Sequence, residues 1–200
     1  MRKASEKRET KETKITVNLN VDGTGKTEIN TPLKLLNHML ELFAFHGLFD
    51  LDIKAKGDVE KIDIHHTNED IGIVLGDAFN KALGDKKGIK RIGFSSVPME
   101  EVTAAVTIDI SGRGSFKLNI REVYSQPMDE GSYGLKDAEH FFESFAKHSG
   151  INLSIKIENV SPALHTTLEP VFKAFGIALD QATQIDPRRK SVPSTKGVID

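Results

Sequence analysis

Polar and apolar positions alternate in some segments of the chain and recur at helical spacing in others. Residues 13–21 alternate with period two and predict a strand, and residues 22–25, Asp-Gly-Thr-Gly, predict that it ends in a tight hairpin turn. Residues 35–47 carry apolar side chains at helical spacing and predict a helix, after which residues 48–55 alternate like a strand. A longer helix is predicted over residues 67–83.

The same order of elements returns later in the chain, because the sequence repeats itself. Residues 37–54 align without a gap on residues 139–156 at an offset of 102, with eight identities in eighteen positions, where composition alone would give roughly one. Residues 65–79 align on residues 165–179 at an offset of 100 and share five residues. Self-similarity of this kind indicates an internal duplication.

The repeat predicts matching elements in the second half, with helices at 138–149 and 170–183 and a strand at 151–157. Between the halves, residues 102–110 and 115–120 predict two further strands around the turn at 111–114. A stretch rich in Gly, Pro and Ser at 126–134 is interpreted as the junction loop. The predicted fold class is α/β (an α+β sandwich) of two similar half-domains, each a sheet with helices packed on it. We expect one domain over residues 1–200, with a first half at about 10–100 and a second at about 101–190.

Composition narrows the possible partners. The formal net charge is −2, from 27 basic and 29 acidic side chains, so a nucleic-acid partner is not expected and a bound phosphate would need a local basic cluster. The absence of cysteine excludes disulfides, thiolate metal ligands and a cysteine nucleophile. Without an apolar run of membrane-spanning length or a hydrophobic leader core, we expect a cytoplasmic protein with no membrane association.

All seven histidines lie inside the repeated segments. On a helix, Glu69 would stand beside both His65 and His66, whose imidazoles diverge, so one turn could serve two metal ions. Imidazole and carboxylate suit zinc, iron or manganese. A solvated helix start is the alternative for Glu69. His46 and His148 are interpreted instead as core residues.

Several basic or hydroxyl side chains could hold a phosphate, although each could also be an ordinary surface residue. These candidates are Arg91, Arg113, Lys173, Ser194 and Lys196. The Gly-Lys-Thr at residues 25–27 lacks the earlier glycine and the following helix of a phosphate loop, so we interpret it as part of the turn.

Ordered motifs along nearly the whole chain resemble the imidazoleglycerol-phosphate dehydratase family. They are RETKET at residues 8–13, then NHML, HGLFDL, HHTNED, ALGDKKGIKR, VPMEE, DISGRG, EHFF, FKA and PSTKG. The resemblance implies a hydro-lyase of histidine biosynthesis that converts imidazole glycerol phosphate to imidazole acetol phosphate. It also implies a duplicated fold, a homo-oligomer of 24 copies, and two manganese ions in each active site at subunit interfaces.

The resemblance further implies roles for individual residues. The implied metal ligands are His38, His65, His66, Glu69, His140, His165 and Glu169. The implied phosphate contacts are Arg91, Arg113, Lys173, Ser194 and Lys196. Glu12 is implied to lie near the substrate, and Glu12 and Glu169 are alternative candidates for proton transfer.

The chain departs from the family pattern in its second half. Thr166 replaces a metal-ligating histidine, which predicts weaker occupancy of one site. Pro170 disfavours helical angles at Glu169, which argues against His165 and Glu169 standing one turn apart and leaves a Thr166–Glu169 capping box open. Leu42 stands where the family has glutamine. A divergent paralogue with a structural or regulatory role is therefore an alternative to the active enzyme; a metal-dependent hydrolase is less favoured because no additional nucleophile is evident.

Overall fold

The computed structural model describes residues 2–59, 62–121 and 129–199, which form two halves with corresponding elements. The first half runs through β1 (Lys3–Glu9), β2 (Lys14–Asn20), β3 (Thr27–Asn30), α1 (Lys34–Gly47), β4 (Asp50–Lys56) and α2 (His65–Leu83). The second half runs through β5 (Ile92–Met99), β6 (Val102–Asp109), β7 (Ser115–Ile120), the short β8 (Asp129–Glu130) and β9 (Tyr133–Gly134), α3 (Leu135–Ser149), β10 (Asn152–Glu158) and α4 (Leu164–Thr183).

Each half builds one four-stranded sheet with the same topology. The strand orders are β1-β2-β4-β3 and β5-β6-β10-β7. In the first sheet β4 pairs antiparallel with β2 and parallel with β3, and in the second β10 pairs antiparallel with β6 and parallel with β7. The predicted duplication is therefore confirmed in both strand order and strand direction.

The helices pack in pairs that join the two halves. Helix α2 packs on the first sheet and α4 on the second, while α1 packs against α4 and α2 against α3. Buried phenylalanines connect these pairs, with ring centroids 4.7 Å apart for Phe43 and Phe175, 5.6 Å for Phe79 and Phe145, and 5.1 Å for Phe145 and Phe175. Burying each such side chain contributes about 1.5–3 kcal/mol. The predicted sandwich of helices on sheets is confirmed.

The predicted hairpin after β2 was wrong. The chain turns after β2, but β3 pairs in parallel with β4. Asp50, at the start of β4, accepts hydrogen bonds from the backbone amides of Thr24 at 2.8 Å and Lys26 at 3.2 Å. The Thr24 amide is the main cause that lowers the pKa of Asp50 to about 2, ahead of the opposing effect of burial. These bonds tie the loop to the start of β4, and β3 then pairs at the far edge of the sheet.

Three edge strands, β1, β3 and β5, lie outside the predicted elements. β1 carries mostly charged side chains and is held by seven residue pairs to β2, and β5 contains Pro98, which an edge strand tolerates. β5 belongs to the second sheet, so that sheet begins at Ile92. Of the predicted junction loop at 126–134, residues 126–128 lie outside the described residues and the rest includes β8 and β9. None of the described helices is long and apolar enough to cross a membrane.

Candidate active site

The first group of predicted ligands lies where α1 meets α4. His38 of α1 and His165 and Glu169 of α4, which we call the α1/α4 cluster, place one ligand atom each within 4.8 Å of the others. Glu169 Oε1 lies 3.2 Å from His38 Nε2 and 2.7 Å from His165 Nε2. The two imidazoles are stacked, with ring centroids 5.1 Å apart. Three potential metal ligands therefore converge from the two halves.

The expectation that Pro170 would separate His165 from Glu169 was wrong. Helix α4 begins at Leu164, with Ala163 as a cap that makes no side-chain bond, so Pro170 lies inside the helix. Thr166 is thus helical and does not form a capping box. Proline leaves one helical hydrogen bond unmade, but burial of the residues on either side keeps the helix continuous.

Glu169 is the most strongly constrained carboxylate of the site. Its side chain is 13 % exposed, and its second oxygen accepts a 2.6 Å hydrogen bond from Lys173 Nζ. Burial acts to raise the pKa of Glu169, but the hydrogen bonds from Lys173 and His38, with the charge of Lys173 and a bond from His165, hold the pKa down at about 2. Glu169 is therefore an anion throughout the physiological range.

The second group lies where α2 meets α3. His65 and Glu69 of α2 and His140 of α3, which we call the α2/α3 cluster, border an open cavity of about 240 Å³. His65 Nε2 lies 3.5 Å from Glu69 Oε2, and the His65 and His140 rings meet edge to face with centroids 5.0 Å apart. The buried Nδ1 of His140 has no hydrogen-bond partner among the described residues.

The two clusters are counterparts of each other under the duplication. His38 corresponds to His140, His65 to His165, and Glu69 to Glu169. Each cluster combines one histidine from the first helix of one half with a histidine and a glutamate, one turn apart, from the second helix of the other half. The fold therefore brings the histidines and glutamates that the repeats share into two matching clusters.

His66 lies outside both clusters. Its Nδ1 is 3.1 Å from Asp58 Oδ2 and 3.8 Å from Glu12 Oε2. The hydrogen bond to Asp58 is the main cause that raises the pKa of His66. In the second half, Thr166 occupies the position that corresponds to His66 and provides a hydroxyl in place of an imidazole.

Sequence patterns did not identify Asp58. The local signal is Gly57, because a Cβ there would stand 1.8 Å from Thr67 Oγ1. Glycine therefore lets the segment after β4 approach the start of α2, and this brings the next residue to His66. The sequence carries the signal, but it can be interpreted only once the packing is known.

The phosphate candidates fall in more than one place. Arg91 forms a two-pronged ion pair with Asp109, at 2.6 and 3.1 Å, and donates to the Pro193 carbonyl at 2.9 Å, next to Ser194. The Lys196 amide donates to Ser194 Oγ at 3.2 Å. The structure thus joins Arg91 to the segment that carries Ser194 and Lys196.

The two remaining phosphate candidates lie elsewhere in the chain. Lys173 lies on α4 beside Glu169. Arg113 lies in the turn after β6, whose Ser111 hydroxyl donates to the Arg113 carbonyl at 3.2 Å.

The interpretation of His46 and His148 as core residues was only partly right. His46 is half-buried, and burial, followed by the charge of Lys173, lowers its pKa. His148 is exposed, and its Nδ1 lies 3.0 Å from Asp77 Oδ1. His148 also borders the cavity of the α2/α3 cluster, so an ion pair rather than core packing accounts for its position.

Comparison with known proteins points to one family. Residues 31–179 match the family model described as imidazoleglycerol-phosphate dehydratase. The chain is 48% identical over 198 residues to the imidazoleglycerol-phosphate dehydratase of Pelobacter propionicus, covering 99% of both chains. It is 47% identical over 199 residues to that of Thermoanaerobacter pseudethanolicus, covering 100% of both.

Solved structures agree with the sequence relatives. The imidazoleglycerol-phosphate dehydratase of Staphylococcus aureus superposes with a TM-score of 0.78 at 32% identity, over 92% of this chain and 100% of that one. The Pyrococcus furiosus protein in complex with (S)-C348 gives a TM-score of 0.78 at 33% identity, over 96% of this chain and 99% of that one.

Proposed function

The chain belongs to the imidazoleglycerol-phosphate dehydratase family of hydro-lyases, and from this we propose that it removes water from imidazole glycerol phosphate to give imidazole acetol phosphate in histidine biosynthesis. The observation that carries the proposal is the pair of matching clusters. Two sets of two imidazoles and one carboxylate, related by the duplication, suit a substrate whose imidazole ring has two nitrogens.

We propose that each cluster binds one Mn²⁺. The donor set supports this, because nitrogen and oxygen ligands without sulfur suit manganese. The buried Nδ1 of His140, which has no partner among the described residues, is consistent with an orientation that leaves the other ring nitrogen for a ligand. The bound ions would supply Lewis acidity that draws electron density from the substrate's imidazole ring.

The remaining residues have separate tasks in the proposed reaction. Arg91, Ser194 and Lys196 would hold the substrate phosphate, because the Arg91 contact to the Pro193 carbonyl brings a cation to this segment. Arg113 and Lys173 would add charge from their own elements. The phosphate would then anchor the substrate at a distance from the carbon that loses its proton.

Of the two candidate proton carriers, Glu12 is favoured over Glu169. Both Glu169 oxygens are occupied by His38, His165 and Lys173, which suits a ligand rather than a group that exchanges protons. Glu12 is about half exposed, with 51 % of its side chain accessible. A carboxylate with a free oxygen can accept the proton of the substrate carbon and return it to the departing hydroxyl.

We also propose a homo-oligomer, with 24 copies as the number implied by the family resemblance. His66 supports this: Asp58 occupies its Nδ1, and its Nε2 belongs to neither cluster of its own chain among the described residues. A metal site completed by His66 of a neighbouring copy would use that nitrogen.

A test needs purified protein, MnCl₂ and imidazole glycerol phosphate, with product measured by NMR. The account predicts turnover with about two manganese ions per chain, and a loss of at least about 100-fold in kcat/KM for Glu69→Gln and Glu169→Gln. Glu143→Gln is the matched control, because Glu143 borders the cavity of the α2/α3 cluster but forms an ion pair with Lys147 at 2.8 Å. It should stay within about threefold of the unmodified protein.

Thr166 favours a second candidate, a paralogue with an impaired metal site and a structural or regulatory role. A hydroxyl at this position cannot replace an imidazole as a manganese ligand of equal strength. One manganese ion or none per chain, together with no turnover, would support the paralogue over the active dehydratase.

A further inference from the structure

Asp70 is a nearly buried carboxylate near the start of α2, and its bonding partners come from the N-terminal segment. The residue is 8% exposed. Its Oδ1 accepts a hydrogen bond from Arg8 Nε at 2.7 Å, and its Oδ2 accepts one from the Thr13 hydroxyl at 2.5 Å. Asp70 therefore attaches both β1 and the last residue of the turn at 10–13 to α2.

That turn is a closed unit that carries Glu12. The Thr10 hydroxyl accepts hydrogen bonds from the backbone amides of Glu12 and Thr13, both at 3.0 Å, and the Thr10 amide donates to the Thr13 carbonyl at 2.9 Å. Since the Glu12 side chain is 51 % exposed, its own packing does little to fix it. Its position beside His66 depends on where the whole turn is held.

The second half of the chain shows that the fold does not require an acid here. Pro170 corresponds to Asp70, and α4 forms with proline at this place. The turn differs as well, since two residues join β5 to β6 where four, residues 10–13, join β1 to β2. The longer turn and the buried aspartate occur together, only in the half that carries Glu12.

We infer that Asp70 is a positioning residue that holds the turn at 10–13 on α2, so that Glu12 faces the site beside His66. This inference rests on the role of Glu12 under the proposed function. Asp70 does not touch the substrate, and its effect on turnover passes through Glu12.

The test removes the Asp70 attachment from each side. Asp70→Asn keeps the shape of the side chain but places an amide donor or a neutral oxygen opposite Arg8. Thr13→Val removes the hydroxyl that donates a hydrogen bond to Asp70. Thr13→Ser keeps that hydroxyl. Lys81→Gln is the matched control, because Lys81 also links α2 to β1, through Glu6 at 2.6 Å, without touching the turn.

Steady-state kinetics with manganese and imidazole glycerol phosphate give the first readout. Asp70→Asn should lower kcat by about 10- to 100-fold with KM changed by less than about threefold, the effect expected of a displaced catalytic group. Thr13→Val should lower kcat by about tenfold, while Thr13→Ser and Lys81→Gln stay within about twofold. In a Glu12→Gln background, Asp70→Asn should cost less than about threefold more, because the group it positions is already gone.

Hydrogen exchange of the peptide spanning residues 8–14 gives a readout that needs no activity. Asp70→Asn and Thr13→Val should speed exchange of the Glu12 and Thr13 amides, while Lys81→Gln should not. Losses of kcat from Asp70→Asn and Glu12→Gln that multiply in the double variant would overturn the inference. Exchange rates of the Glu12 and Thr13 amides that are unchanged in both Asp70→Asn and Thr13→Val would also overturn it. If the unmodified protein shows no turnover but the exchange results hold, the positioning stands and the proposed function fails. Should Asp70→Asn not fold, the Thr13 pair decides the outcome.

Discussion

Gly176 offers a severe test of how the two halves are packed. It lies on α4 against α1, where an added Cβ would stand 2.3 Å from the Phe43 carbonyl oxygen and 3.0 Å from the Gly47 amide nitrogen. Both are backbone atoms of buried residues on α1, so they cannot rotate away. Reaching an ordinary contact requires α1 and α4 to separate by about 1 Å.

The expected cost of Gly176→Ala follows from two opposing effects. Overpacking of this kind costs about 1–3 kcal/mol, and more where backbone must move, while alanine in place of glycine favours the helix by about 1 kcal/mol. We expect a net loss of about 1–2 kcal/mol in the free energy of unfolding. The separation should also loosen the α1/α4 cluster, because His38 and Glu169 face each other across the same helix pair.

Urea unfolding followed by circular dichroism measures the stability change, and manganese titration measures the effect on the cluster. Asn80→Ala is the control, since Asn80 is exposed on α2 and its replacement changes only local helix preference. A Gly176→Ala protein as stable as the unmodified one, with unchanged manganese affinity, would refute the close α1/α4 contact.

Three further predictions follow from single side chains. Asp50→Asn should lower the free energy of unfolding by about 1–2 kcal/mol at pH 7. The folded pKa of Asp50, about 2, is below the ordinary value of 3.8, so this contribution is present above pH 3.8 and is lost as the pH falls through 2. The free energies of unfolding of the two proteins should therefore converge at low pH. Thr166→His should raise the manganese bound per chain in equilibrium dialysis at MnCl₂ concentrations below saturation, because the added imidazole strengthens the weaker site. Equal manganese content in both proteins at those concentrations would contradict this. Asn68→Leu should lower the free energy of unfolding in urea by about 1–3 kcal/mol, because the buried Tyr133 hydroxyl donates to Asn68 at 3.0 Å and would lose its acceptor. An unchanged free energy of unfolding would show that this bond contributes little.

The repeats made much of the fold predictable, because matching helices and strands share an apolar pattern. They could not predict β1, whose side chains are mostly charged and whose position depends on pairing with β2. The hairpin error has a similar origin. The residues after β2 do form a turn, as their sequence predicts. The path of the chain beyond the turn depends on hydrogen bonds that the loop amides donate to Asp50, a residue of β4 that sequence patterns within the loop do not include.

The candidate ligands were predictable as residue types but not as groups. Sequence spacing placed His65 beside Glu69 on one helix turn. Only helix packing shows that His140 joins that pair while His38 joins the other. The sequence prediction that Pro170 would disfavour helical angles at Glu169 was wrong. Burial of the residues along α4 stabilises the helix more than the local preference of the residue before proline destabilises it.

The central proposal is that the duplication creates two corresponding metal sites that serve one dehydration. Diffraction from crystals grown with MnCl₂, collected at the manganese absorption edge, tests it most directly. The account predicts one anomalous peak beside His38, His165 and Glu169 and another beside His65, Glu69 and His140. Anomalous peaks at neither cluster, in crystals of protein that still turns over its substrate, would contradict it.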